Sequence, residues 1–153
     1  MIKKQSAGIL LYKKADGELF FFLAHPGGPF WKNKDAGSWS IPKGEFADDE
    51  DPFDAAIREF EEETGIQLKG EFILLEPVKL KSGKIIHAWA LEKDIGSTIK
   101  SNEFEIEWPP KSGLMKSLPE IDRAAWFSTD EALLKINMAQ RNFISCLTEK
   151  LQL

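Results

Sequence analysis

An α/β domain is the fold class this sequence predicts, and three observations predict it. Gln5 to Lys14 (QSAGILLYKK) and Glu18 to His25 (ELFFFLAH) are apolar runs rich in β-formers, of the length and composition of sheet strands. Pro52 to Thr64 instead places Phe53, Ala56, Ile57 and Phe60 at i, i+3, i+4 and i+7, so one face of a helix is apolar and has to pack on the rest of the domain. Towards the C-terminus Phe143, Ile144 and Leu147 make a second helical stripe, in a helix running through Lys150 that closes the core. At 153 residues the chain is long enough for one well-buried core and short for two, so a single domain over 1–153 is expected.

The first two strands are separated by Ala15-Asp16-Gly17, whose Asp-Gly pair signals a hairpin. Pro26 to Gly37 (PGGPFWKNKDAG) is turn-forming sequence interrupted by Phe30 and Trp31, followed by Ser38-Trp39-Ser40-Ile41-Pro42 and then Lys43. Trp31 and Trp39 are candidates to stack a nucleobase, against the commoner role of a lone Trp, a ring that anchors its loop on the core. Asp51 can accept from the first free N–H groups of the helix, Pro52 sits where its missing N–H does no harm, and Gly65 can end the helix in the left-handed conformation.

Downstream, Phe72 to Leu80 and Lys84 to Leu91 are predicted strands joined by Lys81-Ser82-Gly83. His87 lies within the second of them and is expected to be a packed strand residue outside the chemistry. Ser101 to Pro110 (SNEFEIEWPP) alternates acid with apolar residues and ends in a stiff Pro109-Pro110 turn, with Trp108 a secondary candidate for a base platform. Ser128 is expected to begin a helix with Glu131 as the return acid of a capping box, and Asn137 and Gln140 to cap the last helix. Cys146 follows Phe143 and Ile144 and is expected to fill core space.

The chemistry is concentrated between Gly44 and Ile66 (GEFADDEDPFDAAIREFEEETGI). Glu59, Glu62 and Glu63 repeat the i, i+3, i+4 spacing on a different face from the apolar one. Carboxylates crowded this way repel one another and oppose the macrodipole near the helix C-terminus, each effect worth a few tenths of a kcal/mol or more. A hard divalent cation, Mg²⁺ or Mn²⁺, compensates such a cluster, since these ions favour carboxylate oxygens and complete their shells with water and substrate phosphates. The alternative reading of a generic Glu run is a solvated helix face. Here the spacing argues otherwise, because the stretch fits Gly-x5-Glu-x7-Arg-Glu-U-x-Glu-Glu-x-Gly-U, with U a bulky apolar residue, at Gly44, Glu50, Arg58, Glu59, Phe60, Glu62, Glu63, Gly65 and Ile66.

That pattern resembles the Nudix box, the signature of the Nudix hydrolases; Phe60 is aromatic where an aliphatic residue is more usual. The resemblance implies an α/β/α sandwich around a central mixed sheet, with the box as a loop and helix docked against it. It implies metal ligands at Glu59, Glu62 and Glu63, with the Gly44 carbonyl, and Glu50 as the first box glutamate, holding an outer metal or fixing the loop. Arg58 would hold a box carboxylate in a bidentate ion pair, a geometry Lys cannot reproduce. Pro42-Lys43-Gly44 resembles the PKG approach to the box in members acting on dinucleoside and related nucleoside polyphosphates, and Lys43 could offer a point charge to a phosphate. Its alternative is an ordinary surface lysine.

In many Nudix hydrolases a glutamate outside the box, in the segment leading to the last strand, supplies a further ligand or a base. In the diadenosine tetraphosphate hydrolases that acid stands six residues before a Trp, and Glu120 to Trp126 repeats the interval. Glu103, Glu105 and Glu107 are the competing acids. A carboxylate on a metal is a weak base, so Glu120 is the favoured proton acceptor, with Glu62 the alternative and Arg58 in support.

The expected activity is metal-dependent cleavage of a P–O–P bond in a nucleoside diphosphate linked to another group, with nucleoside or dinucleoside polyphosphates preferred. The alternatives are clearance of modified nucleoside triphosphates and a sensor that binds a nucleotide without cutting it. A net charge of −5 and a pI near 5.2 argue against a nucleic-acid groove and for a small nucleotide partner. A single cysteine, no apolar leader and no long apolar span fit a reducing, cytoplasmic setting away from membranes.

Overall fold

The computed structural model describes residues 4–96 and 98–152. Its centre is β1 (Gln5–Ala15), a strand buried on both faces. Along one edge β1 pairs in parallel with β6 (Ile85–Glu92), from Gln5 against Ile85 to Tyr12 against Glu92. Along the other edge it is shared. Residues 12–15 pair antiparallel with β2 (Glu18–Pro26) through the Asp16-Gly17 turn, both at positive φ, as a two-residue hairpin requires. Nearer its start, β1 pairs instead with the short β3 (Lys43–Glu45).

The segment leading into β3 is therefore wedged where β1 and β2 diverge. Ile9 N–H donates to the Pro42 carbonyl at 3.2 Å, and Ala24 and Ser40 exchange backbone bonds of 2.8 and 2.9 Å. The approach is so close that a Cβ on Gly8 would stand 2.5 Å from the Pro42 oxygen. Glycine is thus required at position 8 by space.

Beyond β2 lies β9 (Ile121–Ser128), antiparallel, with a register shift at His25/Pro26. Beyond β6 lie β4 (Ile73–Leu74) and β5 (Val78–Lys79). The single strand expected over Phe72 to Leu80 is broken into these two pieces. Pro77 between them has no N–H to give to a ladder, and the chain stays attached through Leu75 N–H donating to Ala88 O at 3.0 Å.

Helices cover both faces, so the sheet is the middle layer of an α/β/α sandwich. On one face α1 (Pro52–Thr64) sets Ala55, Ala56 and Phe60 against Ala7, Ile9, Leu11 and Phe22. On the other, α2 (Thr129–Lys135) and α3 (Arg141–Leu151) pack Ala132, Phe143, Ile144 and Leu147 against Leu10, Phe21, Leu23 and Trp39. Odd and even positions of β1 thus enter different core clusters, as the period of a strand dictates. Cys146 packs half-buried against the second cluster.

The expected ends of α1 are found. The Asp51 carboxylate accepts from Asp54 N–H at 3.1 Å, and Gly65 closes the helix at φ 81°. Two other caps differ. Ser128 precedes α2 but its hydroxyl meets the Glu131 carboxylate only at 3.5 Å and caps no backbone N–H. Asn137 caps a 3₁₀ turn (Met138–Gln140), accepting from Ala139 N–H at 2.9 Å, whereas the Gln140 amide turns inward and accepts from Ile41 N–H at 3.1 Å. Gln140 is spent on holding the wedge segment, and α3 starts without a side-chain cap.

The acid-alternating stretch forms β7 (Glu103–Glu107), which among the described residues pairs with β8 (Met115–Pro119) alone, in a separate two-stranded sheet. The sequence carries little signal for β8, because Met115-Lys116-Ser117-Leu118-Pro119 is poor in β-formers. Among the described residues no helix is long and apolar enough to cross a membrane.

Candidate active site

The acidic face of α1 looks onto the wedge segment. Phe60, fully buried and tilted against Phe22 at 6.2 Å between ring centres, fixes the rotation of the helix. The neighbouring positions Glu59 and Glu63 are thereby carried inward, and each is only 7% exposed. Such burial is rare for carboxylates. Gly44 is what makes room: a Cβ there would lie 2.0 Å from Glu59 Oε2, so any side chain at 44 would expel that carboxylate.

Arg58 gathers the cluster. Its Nε and Nη2 donate to the two oxygens of Glu50, both at 2.8 Å, a fork-to-fork pair of high directionality. Its Nη1 donates to Glu59 at 2.9 Å and to Glu62 at 3.2 Å. Glu50 thus spends both oxygens on fixing Arg58, which holds two further box carboxylates side by side. The sum of these bonds, that to Glu50 first, raises the guanidinium pKa further still.

Glu63 faces a small cleft of about 150 Å³ with Lys43, Pro26, Ser40 and Glu120 around it. One Glu63 oxygen accepts from the Lys43 backbone N–H at 3.2 Å. Burial, then Glu59 and Glu120, push the Glu63 carboxyl up to about 8. Burial also raises Glu59, with Glu62 adding to it and Arg58 opposing. Lys43 is shifted down, by burial first and then by Lys84, while Glu63, Glu45 and Glu59 pull it back up. Its half-buried side chain lines the cleft.

Glu120 reaches the same cleft from the junction between β8 and β9. Its carboxyl is raised by burial and then by Glu62. A chain of backbone bonds sets its position: Asn102 N–H donates to Glu62 O at 2.9 Å, Glu120 N–H to Asn102 O at 2.8 Å, and Gly27 N–H to Glu120 O at 2.8 Å. Asn102 therefore ties the box helix to Glu120, a role that nothing in its sequence context announces. The competing acids are occupied elsewhere. Glu103 accepts from Ser117, Glu107 caps Lys111 and Gly113 N–H, and Glu105 is exposed on the same outer face of the hairpin.

The two loop tryptophans part company. Trp39 is 4% exposed, donates from Nε1 to Asp35 at 2.8 Å, and sits edge-on to His25 and Phe127. It is an anchor of the loop, and the expectation that it stacks a base is corrected: no ring face is open. Trp31 stays partly exposed at the loop tip, edge-on to Phe30 at 5.0 Å, with Lys34 Nζ 5.2 Å from its ring centre.

Among the described residues no three His, Cys, Asp or Glu side chains are grouped so as to hold a metal ion; Glu59 and Glu62 are drawn to the Arg58 guanidinium they share. The donor set still suits a hard divalent cation. Glu59, Glu62 and Glu63 offer oxygen only, two of them are buried, and the space left by Gly44 accommodates Glu59.

Comparison with known proteins accords with this arrangement. A family model described as the NUDIX domain matches residues 3–146. A C. elegans Ap4A hydrolase, solved as a binary complex, superposes with a TM-score of 0.66 at 20% identity over 97% of each chain. The NUDIX domain of Shewanella oneidensis NrtR, crystallised with ADP ribose, gives 0.67 at 16% identity over 99% of this chain and 90% of that one. The E. coli ORF135 protein, solved in solution, gives 0.57 at 24% identity over 96% and 91%. At these identities the likeness to solved structures is one of fold, and the family model spanning nearly the whole chain decides the rest: this protein belongs to the Nudix hydrolase family.

Proposed function

We propose that the protein is a metal-dependent pyrophosphohydrolase that cleaves a P–O–P bond in a nucleoside diphosphate linked to another group, preferring nucleoside or dinucleoside polyphosphates. The observation that carries this reading is the shared cleft, in which the box carboxylate Glu63, the cation Lys43 and the non-box acid Glu120 meet. Glu59, Glu62 and Glu63, with the Gly44 carbonyl beside them, would hold a Mg²⁺ or Mn²⁺ ion. Such an ion, when bound, offsets phosphate charge and acidifies water for attack on phosphorus. Arg58, braced by Glu50, keeps Glu59 and Glu62 oriented. Lys43 presents a positive charge to the phosphate chain.

Glu120 is the proton acceptor in this reading. It comes from a separate segment, carries no Arg58 bond among the described residues, and has its carboxyl pKa raised by burial and Glu62. A base of raised pKa is matched to neutral pH better than a carboxylate held low by a cation. The preference for polyphosphates rests on Pro42-Lys43-Gly44 and on the Glu120 to Trp126 interval.

The test is release of phosphate or nucleotide, with Mg²⁺, from ADP-ribose, dinucleoside tetraphosphates, nucleoside triphosphates and nucleotide sugars. Dinucleoside tetraphosphates or triphosphates are expected to lead the panel, and Glu120→Gln to lower kcat by about 100-fold or more with metal affinity unchanged. Silence on every compound, with metal bound, would replace hydrolysis by nucleotide sensing. A near-normal rate for Glu120→Gln would remove that residue from proton transfer.

A further inference from the structure

The β7–β8 hairpin is amphipathic in a way that neither core uses. Its register places Phe104 opposite Leu118 and Ile106 opposite Lys116, with Trp108 N–H donating to Leu114 O at 2.9 Å. Phe104, Ile106 and Trp108 therefore share one face, while Glu103, Glu105 and Glu107 take the other. None of the three apolar residues enters either core cluster. Their face looks across to the loop after β2, and between the two lies a groove of about 330 Å³ lined by Gly28, Pro29, Lys32, Trp108, Lys116 and Leu118.

From this we infer that the hairpin groove is a second substrate subsite, which takes the far nucleoside of a dinucleoside polyphosphate with its base against Trp108 and its phosphates towards Lys32 and Lys116. The inference rests on the pyrophosphohydrolase reading above, whose cleft it extends. Three features single out this occupant. The volume and the mix of apolar wall with a few polar groups suit a small organic ligand. Both lysines carry positive charge on a chain of net charge −5, and the carboxylate that also borders the groove, Asp122, is engaged with His25 Nδ1 at 2.9 Å.

The third feature is continuity with the cleft. Pro26, Glu120 and Ile121 border the cleft, whereas Gly28, Pro119 and Asp122 border the groove. The Gly27 N–H to Glu120 O hydrogen bond lies where the two linings meet. Pro26 of the cleft and Gly28 of the groove are two residues apart, at most about 7 Å of chain, within the reach of a phosphate chain. A mononucleotide bound at the cleft would leave the groove empty; a dinucleotide would fill both.

The experiment measures binding directly, so that it reads out whether or not the enzyme turns over. Wild type, Trp108→Ala, Trp108→Phe and Lys116→Ala are titrated by calorimetry, with Mg²⁺, against a methylene-bridged diadenosine tetraphosphate and against the matching adenosine triphosphate analogue. Trp108→Ala is expected to weaken the dinucleotide by about 5- to 100-fold, the range set by base stacking on an aromatic ring, and the triphosphate by less than about 2-fold. Trp108→Phe should restore most of the affinity, which a collapsed hairpin could not do. Lys116→Ala should weaken the dinucleotide most at low salt, since an exposed charge is screened as ionic strength rises.

Equal losses for both ligands, or no loss for either, would overturn the subsite. Hydrolysis of the parent dinucleotide by wild type, with Trp108→Ala unchanged in affinity, would overturn the subsite and leave the reaction standing. Selective loss of affinity in a protein that cuts nothing would support the subsite and overturn the reaction.

Discussion

Two rows of three glutamates stand on this molecule, and they have met different fates. Glu59, Glu62 and Glu63 lie on a helix whose adjoining residues Ala56 and Phe60 are locked into the core. Two of them are buried and the cluster is strapped by Arg58. Glu103, Glu105 and Glu107 lie on a strand whose opposite face reaches no core, and all three are exposed. Spacing alone does not make a site. What separates the rows is the anchorage behind them, which drives one set of charges inward against its own repulsion and leaves the other in water, where it costs little.

The sharpest way to break the contrast is to remove the seat rather than the charge. Gly44→Ala keeps every carboxylate but puts a methyl 2.0 Å from Glu59 Oε2; activity is expected to fall by about 100-fold, the upper end for displacing a ligand's support. Glu105→Gln, on the solvated row, is expected to leave turnover within about 2-fold under the same assay. Near-normal activity in Gly44→Ala would show that the Glu59 position is not needed.

Arg58→Lys should cost less, about 10-fold or more. An ammonium keeps the charge but cannot make the two parallel bonds to Glu50 while also holding Glu59 and Glu62. The loss should appear chiefly as a higher Mg²⁺ requirement, measured from the metal dependence of the rate; an unchanged requirement would show that charge alone suffices.

The smallest effect is on stability. Because the Glu63 carboxyl is raised to about 8 in the fold, its neutral form is favoured there. The stability this contributes is fully present below the unfolded value near 4.5 and is lost as pH rises through about 8. In chelator, the melting temperature of wild type should therefore fall by several degrees relative to Glu63→Gln between pH 5 and 9, at roughly 2–4 °C per kcal/mol for a chain of this size. Added Mg²⁺ at pH 9 should restore wild type and not the variant. Parallel melting profiles across that range would show that Glu63 does not titrate in the window.

The sequence disclosed most of the helix and its chemistry because both are local. Asp51, Pro52 and Gly65 mark the ends within the stretch they delimit, and the glutamate spacing is a property of one helix face. Residues whose meaning depends on distant partners were harder to read. For Trp39 the sequence leaves both a stacking platform and a loop anchor open, and the anchor is decided only by β9, through Phe127 and Arg123 against its ring. Gln140 looked like a cap, yet it reaches back to Ile41, 99 positions away. β8 is weakly signalled because its composition is poor in β-formers and, among the described residues, it pairs with β7 alone. Glu120 was reached by an interval to Trp126; its true tether, Asn102, is a backbone link that no side-chain pattern encodes.

The wedging of Lys43-Gly44-Glu45 against β1 has one more consequence. Since Pro42, Gly44 and Glu45 are stitched into the rungs of the sheet, the floor of the reaction chamber cannot breathe unless the middle of the domain unzips with it. Any adjustment that a ligand or a regulator imposes has to be absorbed at the rim, by the hairpin and the loop after β2, whose contacts could give way with the central strands undisturbed.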